Sequence, residues 1–199
     1  MNGYSDRINH ALAFAAKHHD QQVRKGTRLP YVTHAANVGL ILTRYGCDET
    51  TVVAGILHDV IEDCVRDGWT HAMLVSRIAE KFGDDALTVV LAVTKRKLDD
   101  HGNEMDRDER NADYLVRIGI AGDRARWVCA ADMVHNGNAI LADLRRTLDP
   151  ESVWGRLTGG RTATAEWYRT VHDRMAIVGF DAPIMSELLG AVEQLEKAS

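Results

Sequence analysis

Apolar residues recur three and four positions apart along nearly the whole chain, the spacing of one face of an α-helix, and β-branched alternation is hard to find. Ile8, Ala11, Leu12, Ala15 and Ala16 form the first stripe, capped by Ser5 and Asp6, and it is expected to fray around His18-His19-Asp20. A basic stretch with Gly26 and Pro30 follows as a loop. Residues 31–45 form a second helix with the stripe Val38, Leu40, Ile41 and Leu42, and Gly46 ends it. Asp48 caps a third helix, read as continuous to Asp63. Beyond Gly68 come a helix with Met73, Leu74, Ile78 and Phe82, and another over 86–93. Residues 95–113 carry one Leu, one Met and many charges of both signs. They predict an exposed loop, either a mobile lid or a solvated excursion, leading into a helix that starts near 106–109. That helix continues over 113–120, and helices over 125–144, 162–178 and 182–197 complete the pattern, with a loop at 149–160. The expected fold class is all-α, a single helical bundle.

The third helix changes the picture. Its apolar lead-in, Val52 to Leu57, runs into His58-Asp59-Val60-Ile61-Glu62-Asp63. On an unbroken helix His58 stacks with Glu62, and Asp59 with Glu62 and Asp63. Burying four such groups unpaired costs several kcal/mol or more. A divalent metal beside an anionic substrate would account for them.

Composition narrows the partners. The chain has 199 residues, 45% hydrophobic and 27% charged, with a formal net charge of -5. That balance argues against nonspecific binding to nucleic acid, which needs a broad basic field, and leaves room for a local basic pocket. No run approaches the ~20 apolar residues of a membrane span. Cys47, Cys64 and Cys129 lack zinc-ribbon or CxxC spacing and predict reduced, buried thiols. With no apolar signal core in MNGYSDRINH, a soluble, cytoplasmic protein is expected.

Candidate chemistry gathers on His34 in a first turn, the adjacent His58-Asp59, and Asp132 within an apolar helix. Imidazole nitrogens with carboxylate oxygens suit Mn²⁺, Fe²⁺ or Zn²⁺ better than an all-oxygen Mg²⁺ cage. Taken singly, His34 also reads as a capping or core group and Asp132 as a partner of an arginine.

In order, the chain carries His19-x-Gln21-Gln22-x-Arg24-Lys25, then Pro30-Tyr31-Val32-x-His34, then Ile56 to Asp63. Phe82-Gly83, Val93-Thr94-Lys95 and Ala131-Asp132-Met133-Val134-His135-Asn136 follow. This ordered set resembles the HD metal-dependent phosphohydrolases, and within them the hydrolase domain of RelA/SpoT enzymes and the single-domain small alarmone hydrolases. The resemblance covers roughly residues 5–145. It implies an HD-domain bundle over 1–180, with a helix at 181–199 packed on the same domain and no synthetase or regulatory domain. One Mn²⁺ ion would be held by His34, His58, Asp59 and Asp132. The implied reaction is hydrolysis of the 3′-pyrophosphate of ppGpp and pppGpp to GDP or GTP and pyrophosphate.

Around that set, Glu62 and Asp63 suit general acid/base work, or alternatively orient His58. Asn136, one turn after Asp132, could hold the attacking water or bridge helices. Arg24, Lys25 and Lys95 suit phosphate oxygens. Tyr31 could flank a base or pack on the first helix. His135 is read as structural. Ala35 stands where the family usually has proline, Gly26 follows Lys25 directly, and Met133-Val134 and Cys64-Val65 depart from the family pattern. Which of Trp167 and Tyr168 corresponds to a nucleotide-seating aromatic stays open. The expected partner is a guanine nucleotide, with no nucleic acid and no membrane. The alternatives are another nucleotide, such as a nucleoside phosphate or NADPH, or alarmone binding without catalysis.

Overall fold

The computed structural model describes residues 4–66 and 68–198. The termini of the two sequence ranges, 1–3 and 199, and residue 67 lie outside them. Eleven helices occur among the described residues and no strands, only isolated bridges such as Val23 with Pro30. They are α1 (Asp6–His18), α2 (Val32–Arg44), α3 (Glu49–Leu57), α4 (Val60–Asp63), α5 (His71–Phe82), α6 (Asp84–Val93), α7 (Arg107–Ile120), α8 (Asp123–Arg146), α9 (Pro150–Trp154), α10 (Gly160–Ile177) and α11 (Ile184–Ala198).

Helix starts follow the capping residues. Ser5, Asp48 and Thr70 each accept from a backbone N–H of the first turn. Asp106 and Glu109 make a reciprocal capping box that starts α7. The charged stretch before it is tied down: Asp99 accepts from the His101 and Asn103 amides, and Arg96 pairs with Asp113.

Helix α3, apolar from Val52 to Leu57, is the hub. Val52 to Leu57 are all buried, and the helix packs on α1, α2, α6 and α8. Two glycines let α2 and α3 approach closely. A Cβ on Gly55 would lie 2.3 Å from Leu42 Cδ1, and one on Gly39 2.8 Å from Ile56 Cγ1. The 24-residue α8 crosses the same core, and α11 packs against α8 and α10. None of the described helices is long and apolar enough to cross a membrane. Cys47, Cys64 and Cys129 are free and buried.

Two sequence expectations are corrected. The helix from Asp48 is not continuous to Asp63: it ends at Leu57 and resumes at Val60. The Gly55 carbonyl, which the Asp59 amide would use in an unbroken helix, takes the His58 Nδ1–H at 2.8 Å instead. And 149–160 is not all loop, since Pro150 at its first position starts the short α9, whose Trp154 is buried.

Candidate metal centre and active-site cavity

The turn at His58-Asp59 aims both side chains at the first turn of α2 and the middle of α8. His34 Nε2 lies 3.2 Å from His58 Nε2, 3.3 Å from Asp59 Oδ2 and 3.1 Å from Asp132 Oδ1. His58 Nε2 lies 3.0 Å from Asp59 Oδ2 and 3.5 Å from Asp132 Oδ1. The ligand atoms of His34, His58 and Asp59 fall within 4.8 Å of one another, and Asp132 joins them through both imidazoles. The rings are buried, whereas the carboxylate side chains keep 19% and 27% of their surface exposed. The cluster thus has dry nitrogens at its back and oxygens at the edge of a cavity.

Hydrogen bonds behind the rings fit this set to a cation. His58 Nδ1–H donates to the Gly55 carbonyl, so its Nε2 presents a lone pair. His34 Nδ1 sits 2.8 Å from His135 Nδ1. Burial first, then the nearby His34 and Arg24, push His135 down to about 4, so its ring is neutral at pH 7 and has one nitrogen able to accept. With that nitrogen as Nδ1, it pairs with a His34 that carries its proton on Nδ1. His34 then donates from Nδ1, and its Nε2 lone pair also faces the centre. Two facing lone pairs beside two carboxylates repel unless positive charge lies between them. The titration shifts have that sign. Burial alone would lower both histidines, yet bonds and charges from Asp132 and Asp59 raise them. Burial would raise the two carboxyls, yet the imidazoles hold both below their usual range. The residues present fit a divalent metal.

A cavity of about 740 Å³ opens over the cluster. Glu62 lines it and accepts the Lys95 backbone N–H at 2.7 Å. Burial, then the charge of Asp59, push its carboxyl up to about 7. Asp63 is exposed and accepts from Gln22 Nε2 at 2.8 Å. Lys95 Nζ lies 4.1 Å from the Trp167 ring centroid and 3.2 Å from Asn111 Oδ1; burial lowers its pKa. Arg24 donates to Asn136 Oδ1 at 2.6 Å, and Asn136 Nδ2 donates to Asp132 Oδ1 at 2.6 Å. The Asn136 amide is therefore spent joining a basic-loop arginine to a candidate ligand. Lys25 is exposed on the same rim.

Of the sequence-predicted site residues, all but the buried His34 line one cavity, and His34 sits against the ligand atoms at its edge. A family model described as an HD domain matches residues 11–152. The chain belongs to the HD domain family. Among curated relatives of this HD domain, the Drosophila melanogaster guanosine-3′,5′-bis(diphosphate) 3′-pyrophosphohydrolase MESH1 is 32% identical over 135 residues, 66% of this chain and 68% of that protein. An Aquifex aeolicus protein of the same activity name is 36% identical over 92 residues, 46% of this chain and 12% of that one. A Myxococcus xanthus GTP pyrophosphokinase is 32% identical over 134 residues, 66% of this chain and 17% of that one. The chain therefore spans only a small part of the two bacterial relatives. A solved structure, described as a metazoan ortholog of SpoT that hydrolyses ppGpp, matches with TM-score 0.75 and 26% identity over 96% of both chains. A Listeria monocytogenes structure matches with TM-score 0.68 and 25% identity over 82% of this chain and 99% of that one.

Two contacts of the HD centre escape a sequence reading. His135 lies three residues after Asp132, on the same face of α8, and backs His34 on a different helix. Tyr31 stacks on His19 with centroids 4.7 Å apart, and its hydroxyl donates to Asp59 Oδ2 at 2.6 Å. Helical periodicity places His135 on the Asp132 face of α8 but names the partner of neither residue.

Proposed function

We propose that this HD domain hydrolyses the 3′-pyrophosphate of ppGpp and pppGpp, using Mn²⁺, to give GDP or GTP and pyrophosphate in the cytoplasm. The observation that carries the reading is the convergence of His34, His58, Asp59 and Asp132 beneath a cavity that also holds Glu62, Lys95, Arg24 and Lys25. The activity names of the relatives support the choice of substrate. In the same proposal, residues 1–180 carry the hydrolase and 181–199 the helix that supports it.

One Mn²⁺ ion held by the two imidazoles and two carboxylates would polarise a phosphoryl oxygen and make a water more acidic. The chain's own groups do the rest. Water adds at the phosphorus joined to the 3′ oxygen, that P–O bond breaks, and the 3′ oxygen regains a proton. Glu62, with a carboxyl near 7, takes or gives a proton at neutral pH. Its Oε2 is fixed by the Lys95 amide, which aims the rest of the carboxyl. Asp63, held by Gln22, serves as the second carboxylate at the cavity mouth. Arg24, Lys25 and Lys95 offset phosphate charge, Tyr31 and Asn136 hold the ligand carboxylates in place, and Trp167 beside Lys95 lines the wall.

The deciding experiment is Mn²⁺-dependent turnover across a nucleotide panel with product identification. Pyrophosphate released from ppGpp supports the reading. Orthophosphate released from other nucleotides, with ppGpp untouched, replaces it with a different phosphohydrolase.

A further inference from the structure

The cavity has two ends of opposite charge. Asp59, Glu62, Asp63 and Asp132 gather at the metal end. A side chamber of about 420 Å³ continues the cavity past Asp143, Val153, Arg146 and Arg156, all of which line both spaces. Arg146 lies fourteen residues beyond Asp132 on α8, a rise of about 21 Å, and an arginine side chain leans back towards the helix N-terminus. Arg146, and Arg156 through its bond to Asp143, therefore sit further along the cavity, away from the metal end.

Their bonding differs in a useful way. Arg156 is placed by the fold: it donates to Asp143 Oδ2 at 3.1 Å and to the Lys25 carbonyl at 3.3 Å, across Gly26. Any Cβ on Gly26 would fall on that guanidinium, 1.3 Å from Arg156 Nη1. Arg146 makes no hydrogen bond or ion pair among the described residues. Asp143 is the one acidic side chain lining the chamber, against two arginines. Arg156 sits in the connection between α9 and α10, beyond the stretch that carries the family motifs.

We propose that Arg146 and Arg156 form a second anion subsite, which takes the phosphates at the far end of a nucleotide whose near-end pyrophosphate is being hydrolysed. The subsite rests on the function proposed above and specifies its substrate: a ribonucleotide phosphorylated at both the 3′ and 5′ positions. Arg156 is the fixed donor. Arg146 is the free one and closes on the ligand. Planar guanidinium forks suit terminal phosphate oxygens better than an ammonium would.

The test compares the wild-type chain with Arg146→Gln and Arg156→Gln, in Mn²⁺, on ppGpp and on guanosine 3′-diphosphate, which lacks the 5′ phosphates. Each variant is expected to raise KM for ppGpp roughly ten-fold with kcat within about two-fold, and to leave KM for the shortened substrate near the wild-type value. An equal rise for both substrates, or none for either, overturns the subsite. Arg146→Gln removes no hydrogen bond or ion pair of the protein and keeps the side chain's stem, so its result does not depend on a refolded rim. If the wild-type chain turns over neither nucleotide, the functional reading fails by itself. The subsite is then tested by titrating inorganic pyrophosphate into metal-free protein. Loss of that binding in both variants keeps the subsite, and unchanged binding removes it.

Discussion

His34 and His135 meet nitrogen to nitrogen, Nδ1 to Nδ1, at 2.8 Å, across two helices. In the tautomer that binds a metal through its outer nitrogen, His34 donates from Nδ1 and the neutral His135 accepts. Removing a partner behind a metal-bound imidazole costs about 10–100-fold in metal affinity. His135→Ala should weaken Mn²⁺ binding by that factor in a calorimetric titration. Wild-type affinity would show that His135 only fills space.

Asp59→Ala removes an oxygen of the candidate cage and should abolish metal retention and turnover together. Tyr31→Phe removes one hydrogen bond to that carboxylate and keeps the ring on His19. It should weaken metal binding by roughly ten-fold, in line with the loss of one charge-assisted bond. Metal content after dialysis, read beside kcat, separates the two variants. A fully active Asp59→Ala would dismiss the metal reading.

Glu62→Gln should keep the metal and lower kcat by about 10²- to 10⁴-fold, the usual worth of a positioned acid or base. Its carboxyl lies near 7, so the wild-type rate should change with pH around neutrality and the variant should lose that limb. The stability effect has a defined sign. The folded pKa lies above the ordinary 4.5, so between pH 4.5 and about 7 the folded chain keeps a proton the unfolded chain has lost. Stability contributed by this group falls as pH rises through that window. In metal-free protein, Glu62→Gln should therefore be relatively more stable at pH 8 than at pH 5. Parallel urea curves for both proteins at both pH values would contradict this.

Gly55→Ala tests how close helix packing supports the site. Helix propensity alone would favour alanine by about 1 kcal/mol. The new Cβ would instead press on Leu42, which is fully buried and has nowhere to move. The expected net effect is a destabilisation of about 1–3 kcal/mol in urea unfolding, with weaker metal binding because His34 and His58 stand on the two helices forced apart. A gain in stability would show that α2 and α3 have slack.

The all-α class, the capped helix starts and the candidate ligands were legible in the chain itself. Helical periodicity, capping residues and short motifs are local, and each records its own physical cause. Even so, the pattern could not show that the helix breaks at His58. The break comes from a side chain competing for the Gly55 carbonyl, and an apolar run reads the same either way. Nor could sequence spacing bring His34, His58 and Asp132 within hydrogen-bonding distance, since they sit on separate elements. Only packing around α3 decides that, and with it the roles of residues that periodicity leaves ambiguous. His135, which shares a face of α8 with Asp132, backs His34 on another helix. Tyr31, read as flanking a base or packing on the first helix, stacks on His19 and also holds Asp59. Arg156, in a connection that offered no motif, reaches the basic loop 131 positions earlier because Gly26 leaves it room. The chain by itself determined which groups were available for chemistry. Tertiary structure decided which of them meet, because contact between elements depends on long-range packing that no local spacing encodes.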